Sequence, residues 1–349
     1  MHIKTIAIDL AKDVFELAIA SAQGKALARQ RLTRAGLMKF LQQQEPANVV
    51  MEACGSAHYW ARLFQAQGHH VILLPAQYVR PYRRRSKTDR ADVVAILEAH
   101  RCAQIKPVPV KSVEQQQLQH CHRLREQWKA TRTARINSLR AILREQGIVF
   151  PQGATAFLKA APSLIDEEPA LGLLLPLLHA LLAEIALIED HMRETEAIMR
   201  RATADNVAVT RLQQINGIGL LTATALVAAV GNPSTFKRGR QLANWIGITP
   251  REHSSGNTRR LGSITRQGDV YLRTLFIHGG RAALARAKQL AATNPDTMTQ
   301  LQRWAVQLDE RRGFNKAAVA MANKLVRIAW AVWHHARRFD GDFAVATAA

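Results

Sequence analysis

The stretch Ile3-Lys4-Thr5-Ile6-Ala7-Ile8-Asp9 decides how this chain is read. Its β-branched and small apolar residues suit a buried strand, and the run ends on an acid. Burying that carboxylate is costly unless a partner or a metal ion receives it. Working outward, Val14 to Ala20 and Leu27 to Leu32 follow as antiparallel neighbours, with Gly24 in the turn between them. A helix over Arg34 to Gln44 leads to the strand Asn48-Val49-Val50-Met51-Glu52. A helix over Ala57 to Gln67 then leads to the strand His70-Val71-Ile72-Leu73-Leu74. The succession β-β-β-α-β-α-β predicts an α/β layer fold, with helices covering a mixed sheet.

That order is the one found in RNase H-like nucleases, and the composition agrees with a nucleic-acid partner. The 349 residues carry 48 Lys and Arg against 27 Asp and Glu, a formal charge of +21. Such an excess favours a polyanion over a membrane surface. Cys54, Cys102 and Cys121 are far apart and lack CxxC spacing, which argues against a disulfide framework or a zinc site. No signal-peptide core is present, and the apolar stretch from Leu173 to Ile188 is interrupted and too short to span a bilayer. The expectation is a cytoplasmic, nucleoid-associated bacterial protein.

Beyond the first 80 residues the pattern turns helical. Residues 88–103 read as a helix that Pro107 and Pro109 end, and residues 112–146 as a long basic helix. Its cations are Arg123, Arg125, Lys129, Arg132, Arg135, Arg140 and Arg144. Leu174, Leu178, Leu181, Ile185, Ile188 and Met192 recur at steps of four and three, which suggests a coiled-coil arm or, equally on periodicity, a helical bundle. From about residue 208 a mostly helical part begins, with helices expected over 268–288, 296–310 and 314–338.

Four constellations carry chemistry. Asp9 and Glu52 end strands that should lie side by side, and Asp89 and Asp92 share one face at a helix start. Together they offer the hard oxygen ligands that Mg²⁺ prefers for phosphoryl transfer. Ile215-Asn216-Gly217-Ile218-Gly219 between two helices suggests a helix–hairpin–helix, with Gly217 and Gly219 giving backbone N–H groups to phosphate. In Arg251-Glu252-His253-Ser254-Ser255-Gly256-Asn257-Thr258-Arg259-Arg260, an exposed serine lies among Arg251, Arg259 and Arg260, with His253 as an available base. A plain polar hairpin fits the same residues. Arg83, Arg84, Arg85 and Lys87 lie just before Asp89 and would neutralise an incoming phosphate backbone, with Tyr78 and Tyr82 as stacking candidates and Trp60 a third that fits the core better.

Over nearly its whole length the chain resembles the DEDD-type transposases of the IS110 insertion-sequence family, in particular the IS1111 branch. The resemblance is carried by Ile6-Ala7-Ile8-Asp9-Leu10-Ala11-Lys12, Met51-Glu52-Ala53-Cys54-Gly55-Ser56-Ala57 and Lys87-Thr88-Asp89-Arg90-Ala91-Asp92. It continues through Ile215 to Gly219 and from Gly247-Ile248-Thr249-Pro250 through Ser255-Gly256. It implies a RuvC-like, RNase H-fold domain over 1–110, a coiled-coil arm over 111–206 and a C-terminal transposase domain over 207–349. It also implies catalysis by Asp9, Glu52, Asp89 and Asp92 with Mg²⁺, and a nucleophile at Ser255, with Ser254 as its one-residue alternative. The resemblance further implies a tetramer acting on donor and target DNA with a structured bridge RNA. In it, the acids of one subunit would serve the serine of another. Two other readings remain: a metal-dependent nuclease or junction resolvase using water, and a non-catalytic nucleic-acid-binding protein.

Overall fold

The computed structural model describes residues 5–21, 26–83 and 88–342. Internal contacts divide the chain into two compact units, Met1–Val113 and Glu114–Ala349. Gly24, Arg84, Arg85 and Lys87 lie outside the described residues.

The first unit is a five-stranded sheet in the order β3-β2-β1-β4-β5. Its strands are β1 (Thr5–Asp9), β2 (Val14–Ala20), β3 (Ala26–Thr33), β4 (Asn48–Glu52) and β5 (His70–Leu74). β1, β2 and β3 pair antiparallel, whereas β4 joins β1, and β5 joins β4, in parallel. The parallel steps each need a covering crossover, supplied by α1 (Arg34–Gln42) and α2 (Ala57–Ala66). Side chains alternate across the sheet. Ile6, Ile8, Val49 and Met51 face one core with Trp60 and Phe64, while Ala7, Ala18 and Val50 face another with Val93 and Ile96. The alanines keep the second face shallow, so that α4 (Asp89–His100) packs close over β1, β2 and β4. The short α3 (Ala76–Val79) and a 3₁₀ turn over Arg80–Tyr82 come before it. This mixed α/β arrangement is consistent with the RNase H-like expectation.

The second unit is helical. α5 (Val113–Glu145) and α7 (Leu175–Ala202) run antiparallel, as shown by the ion pairs Arg125–Glu196, Arg132–Glu189 and Arg135–Glu184. Leu178, Ile185, Ile188, Thr195 and Met199 form the buried stripe of α7. Pro176, read from sequence as an interruption, sits in the first helical turn, where a missing N–H costs nothing. α6 (Ala154–Asp166) closes the far end of the pair through Phe157, Ala161 and Ile165 against Ile136, Leu139 and Leu143.

The remaining helices are α8 (Val207–Gln213), α9 (Leu220–Val230), α10 (Gly239–Ile246), α11 (Val270–Thr293), α12 (Gln300–Arg312) and α13 (Phe314–His334). They enclose a core that includes Leu226, Ile246, Phe276, Leu284, Leu325 and Val326. A two-stranded hairpin of β6 (Pro250–Glu252) and β7 (Leu261–Ile264) projects between α10 and α11 in sequence. In the same unit, buried His122 of α5 bonds to Tyr271 at 2.9 Å and Thr224 at 3.0 Å. Thr224 donates its own proton to Leu220 O, so His122 Nε2–H donates to Thr224 and Nδ1 accepts from Tyr271. Burial, and secondarily Arg125, hold this imidazole down from 6.5 to about 4.

Candidate metal centre and serine hairpin

The register of β1 and β4 places Ile8 beside Met51, so the next residues, Asp9 and Glu52, end adjacent strands. Alternation sends both toward the face covered by α4, because each follows a residue of the opposite core. Thr88 caps α4 through a bond from the Ala91 N–H at 3.2 Å, which fixes where that helix begins. Asp89 and Asp92 lie in its first turn, where the helix dipole favours negative charge. The fold thus gathers all four acids around one strand-end. Burial comes first, then the charges of Asp92, Asp89 and Glu52. These push Asp9 up from 3.8 to about 6, with Arg83 pulling the other way.

Arg83 completes the cluster. Its Nη2 bonds Glu52 Oε2 at 3.1 Å, and its Nε lies 3.0 Å from Asp92 Oδ1, near enough for an ion pair but not aligned as a hydrogen bond. With the guanidinium between them, the acids are near one another without forming a cage. Among the described residues, no three His, Cys, Asp or Glu side chains stand ready to hold a metal ion. The donor chemistry still fits one, since four carboxylates near one another offer hard oxygens.

The serine lies in the other unit, on the exposed hairpin. His253 N–H bonds Arg260 O, and Ser255 and Thr258 exchange backbone bonds at 3.1 and 3.2 Å around the tip. Gly256 takes φ +54 there, with open space where a Cβ would be. Ser254 Oγ donates to Glu252 Oε1 at 2.8 Å and accepts from the Arg260 N–H at 3.2 Å, and Arg259 bonds the same Glu252 oxygen. Glu252 is therefore held below the usual carboxylate range, first by Ser254 and then by Arg259. Sequence reading passed over Glu252, and nothing in its spacing marks it. Ser255 has no side-chain hydrogen bond among the described residues, and His253 makes none with either serine. Arg251 turns inward along the hairpin, bonding Thr265 O at 3.1 Å.

Other expected site residues divide between packing and openness. Gly217 (φ +96) lies against α11, where an added Cβ would come within 2.6 Å of Gly279 O. That contact alone explains the glycine. Gly219 stands at the start of α9 with open space before it. Trp60 is 1% exposed and belongs to the core, which removes it as a stacking surface, whereas Tyr78 is exposed. In the long basic helix, Arg125, Arg132 and Arg135 are spent on glutamates of α7, and Arg140 reaches Gly153 O at 2.9 Å and lies over Phe157.

Residues 6–148 match the family model of a DEDD transposase of the IS110 type, and residues 209–294 match one described as "Transposase IS116/IS110/IS902 family". The chain is 39% identical over 336 residues to a "Probable family 20 transposase" of Pseudomonas aeruginosa, covering 95% of this chain and 97% of that one. It is 38% identical over 333 residues to the "Transposase for insertion sequence element IS1111A" of Coxiella burnetii, covering 95% and 89%. The chain belongs to the IS110 family of transposases. A transposase of "insertion sequence element IS1328" from Yersinia enterocolitica is 31% identical over 331 residues, covering 95% and 97%. The IS110-family transposase is thus an enzyme of DNA transposition and recombination, acting on DNA. DEDD-type transposases generally use a divalent metal. No helix among the described residues is long and apolar enough to cross a membrane.

Proposed function

We propose that this transposase cuts and rejoins DNA through attack by Ser255, assisted by Mg²⁺ at Asp9, Glu52, Asp89 and Asp92, with a bridge RNA selecting donor and target. The observation that carries this reading is the convergence of four carboxylates from two strand-ends and one helix start. When bound there, Mg²⁺ would stabilise charge on the phosphate and on the attacking and leaving oxygens. Asp9 and Glu52 would hold it from the sheet, and Asp89 and Asp92 from α4.

Ser254 is occupied closing the hairpin, while the Ser255 hydroxyl is free to approach a phosphate; this favours Ser255 as the nucleophile. Its Oγ would form a bond to phosphorus as the bond to a sugar oxygen breaks, and that oxygen would leave with a proton. Attack by a sugar hydroxyl on the phosphoserine would reverse the exchange, releasing the serine and restoring a phosphodiester without ATP. Arg259 and Arg260 beside the tip would neutralise the phosphate, as would Arg84, Arg85 and Lys87 near the acids in sequence. The backbone N–H at Gly219 would add a contact without base specificity. In this reading 1–110, 111–206 and 207–349 act as catalytic, arm and serine-bearing modules of a tetramer working in the bacterial cytoplasm. The helix pair would serve as the coiled-coil arm and the α8–α9 turn as the helix–hairpin–helix.

A nuclease using water is the second reading, favoured by one fact: all four acids belong to a single unit without the serine. Incubation with a suicide DNA substrate, bridge RNA and Mg²⁺ separates them. A covalent protein–DNA adduct that maps to Ser255 and vanishes in Ser255→Ala is expected. Undiminished cleavage by Ser255→Ala with no adduct would establish water as the nucleophile.

A further inference from the structure

We propose that Arg83 is a built-in counter-cation of the acidic centre, which a divalent ion must displace in order to bind. This rests on the reading of Asp9, Glu52, Asp89 and Asp92 as a metal centre and adds a residue that acts on its loading.

Three elements meet at this side chain. Arg83 directly follows the 3₁₀ turn, anchored by its N–H to Arg80 O at 3.1 Å, while Glu52 ends β4 and Asp92 lies in the first turn of α4. The guanidinium reaches both acids at 3.1 and 3.0 Å, with side-chain exposures of 29% for Arg83, 20% for Glu52 and 13% for Asp92. Its forked, planar donors suit two carboxylates from different elements, as a single ammonium does not. Among the described residues, Asp9 and Asp89 have no ion-pair partner. Among the described residues, Arg83 is thus the one cation paired with the cluster.

A divalent ion coordinated by Glu52 and Asp92 needs the oxygens that Arg83 now holds, one by a hydrogen bond and one by charge. The two cations compete, so loading is an exchange: the ion enters, the guanidinium leaves, and the freed Arg83 remains beside the site. If Arg83 were only a staple between β4 and α4, its removal would loosen the acids and weaken metal binding. Competition predicts the opposite sign.

Full-length protein titrated with Mn²⁺, read by calorimetry and by the signal of free Mn²⁺, distinguishes the two. Arg83→Ala should bind Mn²⁺ about tenfold more tightly than wild type, the effect of losing one part-buried charge-assisted contact. Without metal its melting temperature should fall below that of wild type, and saturating Mn²⁺ should close the gap. Arg83→Lys, which keeps the charge but loses the fork, should lie between the two and serves if Arg83→Ala does not fold. Equal or weaker affinity in the variants would overturn the competition while leaving the metal centre intact. Absence of binding in every form, with Glu52→Gln as control, would remove the metal centre and the inference together.

Discussion

Along the α5–α7 pair, the arginines that face across find glutamates one to one, whereas by the ends of β1 and β4, among the described residues, one arginine pairs two of four carboxylates. Both regions are half-exposed and rich in charge, yet they differ in balance. The helix pair is complete as it stands, and its ions set register and hold two faces together. Among the described residues, the strand-end cluster keeps two carboxylates, Asp9 and Asp89, outside any ion pair. Matched charge builds structure here, and mismatched charge marks the place proposed for chemistry.

The most severe way to break this contrast is to remove the mismatch. Asp9→Ala should lower strand exchange by roughly a thousandfold or more, as loss of a ligand that acts in the transition state does. DNA binding, read by gel shift at fixed salt, should change little. Ser255→Ala should behave likewise in exchange assays. Normal recombination by either variant would refute the role given to that residue.

A second test asks how the helical unit treats a charge it cannot pair. His122 is held at about 4 in the fold against 6.5 when unfolded, so the unfolded chain takes up the proton first as pH falls. The stability owed to His122 should be full above about pH 7, decline between 6.5 and 4, and level off below, a loss of about 3 kcal/mol. Urea unfolding across that range measures it. Because His58 is also depressed to about 4, the comparison is with His122→Gln, whose acid slope should be visibly shallower. An unchanged slope would mean that His122 is not the group responsible.

The sharpest contrast is one of sign. Neutralising Asp9 with Asp9→Asn in metal-free buffer should raise stability by about 1 kcal/mol, because it first removes a charge from a part-buried place and then relieves repulsion from Asp92, Asp89 and Glu52. Neutralising Glu189 with Glu189→Gln should lower it, because the bond that Arg132 Nε makes to Oε1 at 2.6 Å loses its charge assistance. A double-mutant cycle between Arg132 and Glu189 should return a coupling of roughly 0.2–1 kcal/mol that shrinks with salt. Equal signs at the two places would dissolve the comparison.

How far the sequence reveals these features follows the range of the interactions involved. β2, β4 and β5 have the same ends in the structure as in the β-branched runs, since strand pattern and turn residues are local. The short α3 and the turn at Arg80–Tyr82 were missed, because four residues with Pro81 nearby carry no periodic signal. The gathering of Asp9 with Glu52 was legible from strand order, and that of Asp89 with Asp92 from helical spacing. The position of Arg83 was not: in a run of cations it reads as a surface for phosphate, and only tertiary packing turns it back onto Glu52 and Asp92. For the same reason the basic run of residues 112–146 gives no sign that Arg125, Arg132 and Arg135 meet glutamates of α7. Gly217 looked like a phosphate turn until Gly279, 62 positions further on, came to rest against it.

The ladder along α5 and α7 has a consequence for length. At 1.5 Å per residue, the 33 residues of α5 extend about 50 Å, and the pairs Arg125–Glu196 and Arg132–Glu189 are separated by seven residues on both helices. Two rods clamped seven residues apart on each share one heptad step, and the next rung, Arg135–Glu184, lies three residues on along α5 and five along α7. Natural or engineered versions should therefore lengthen or shorten by seven residues on both helices at once, while an insertion in one alone throws every rung beyond it out of phase.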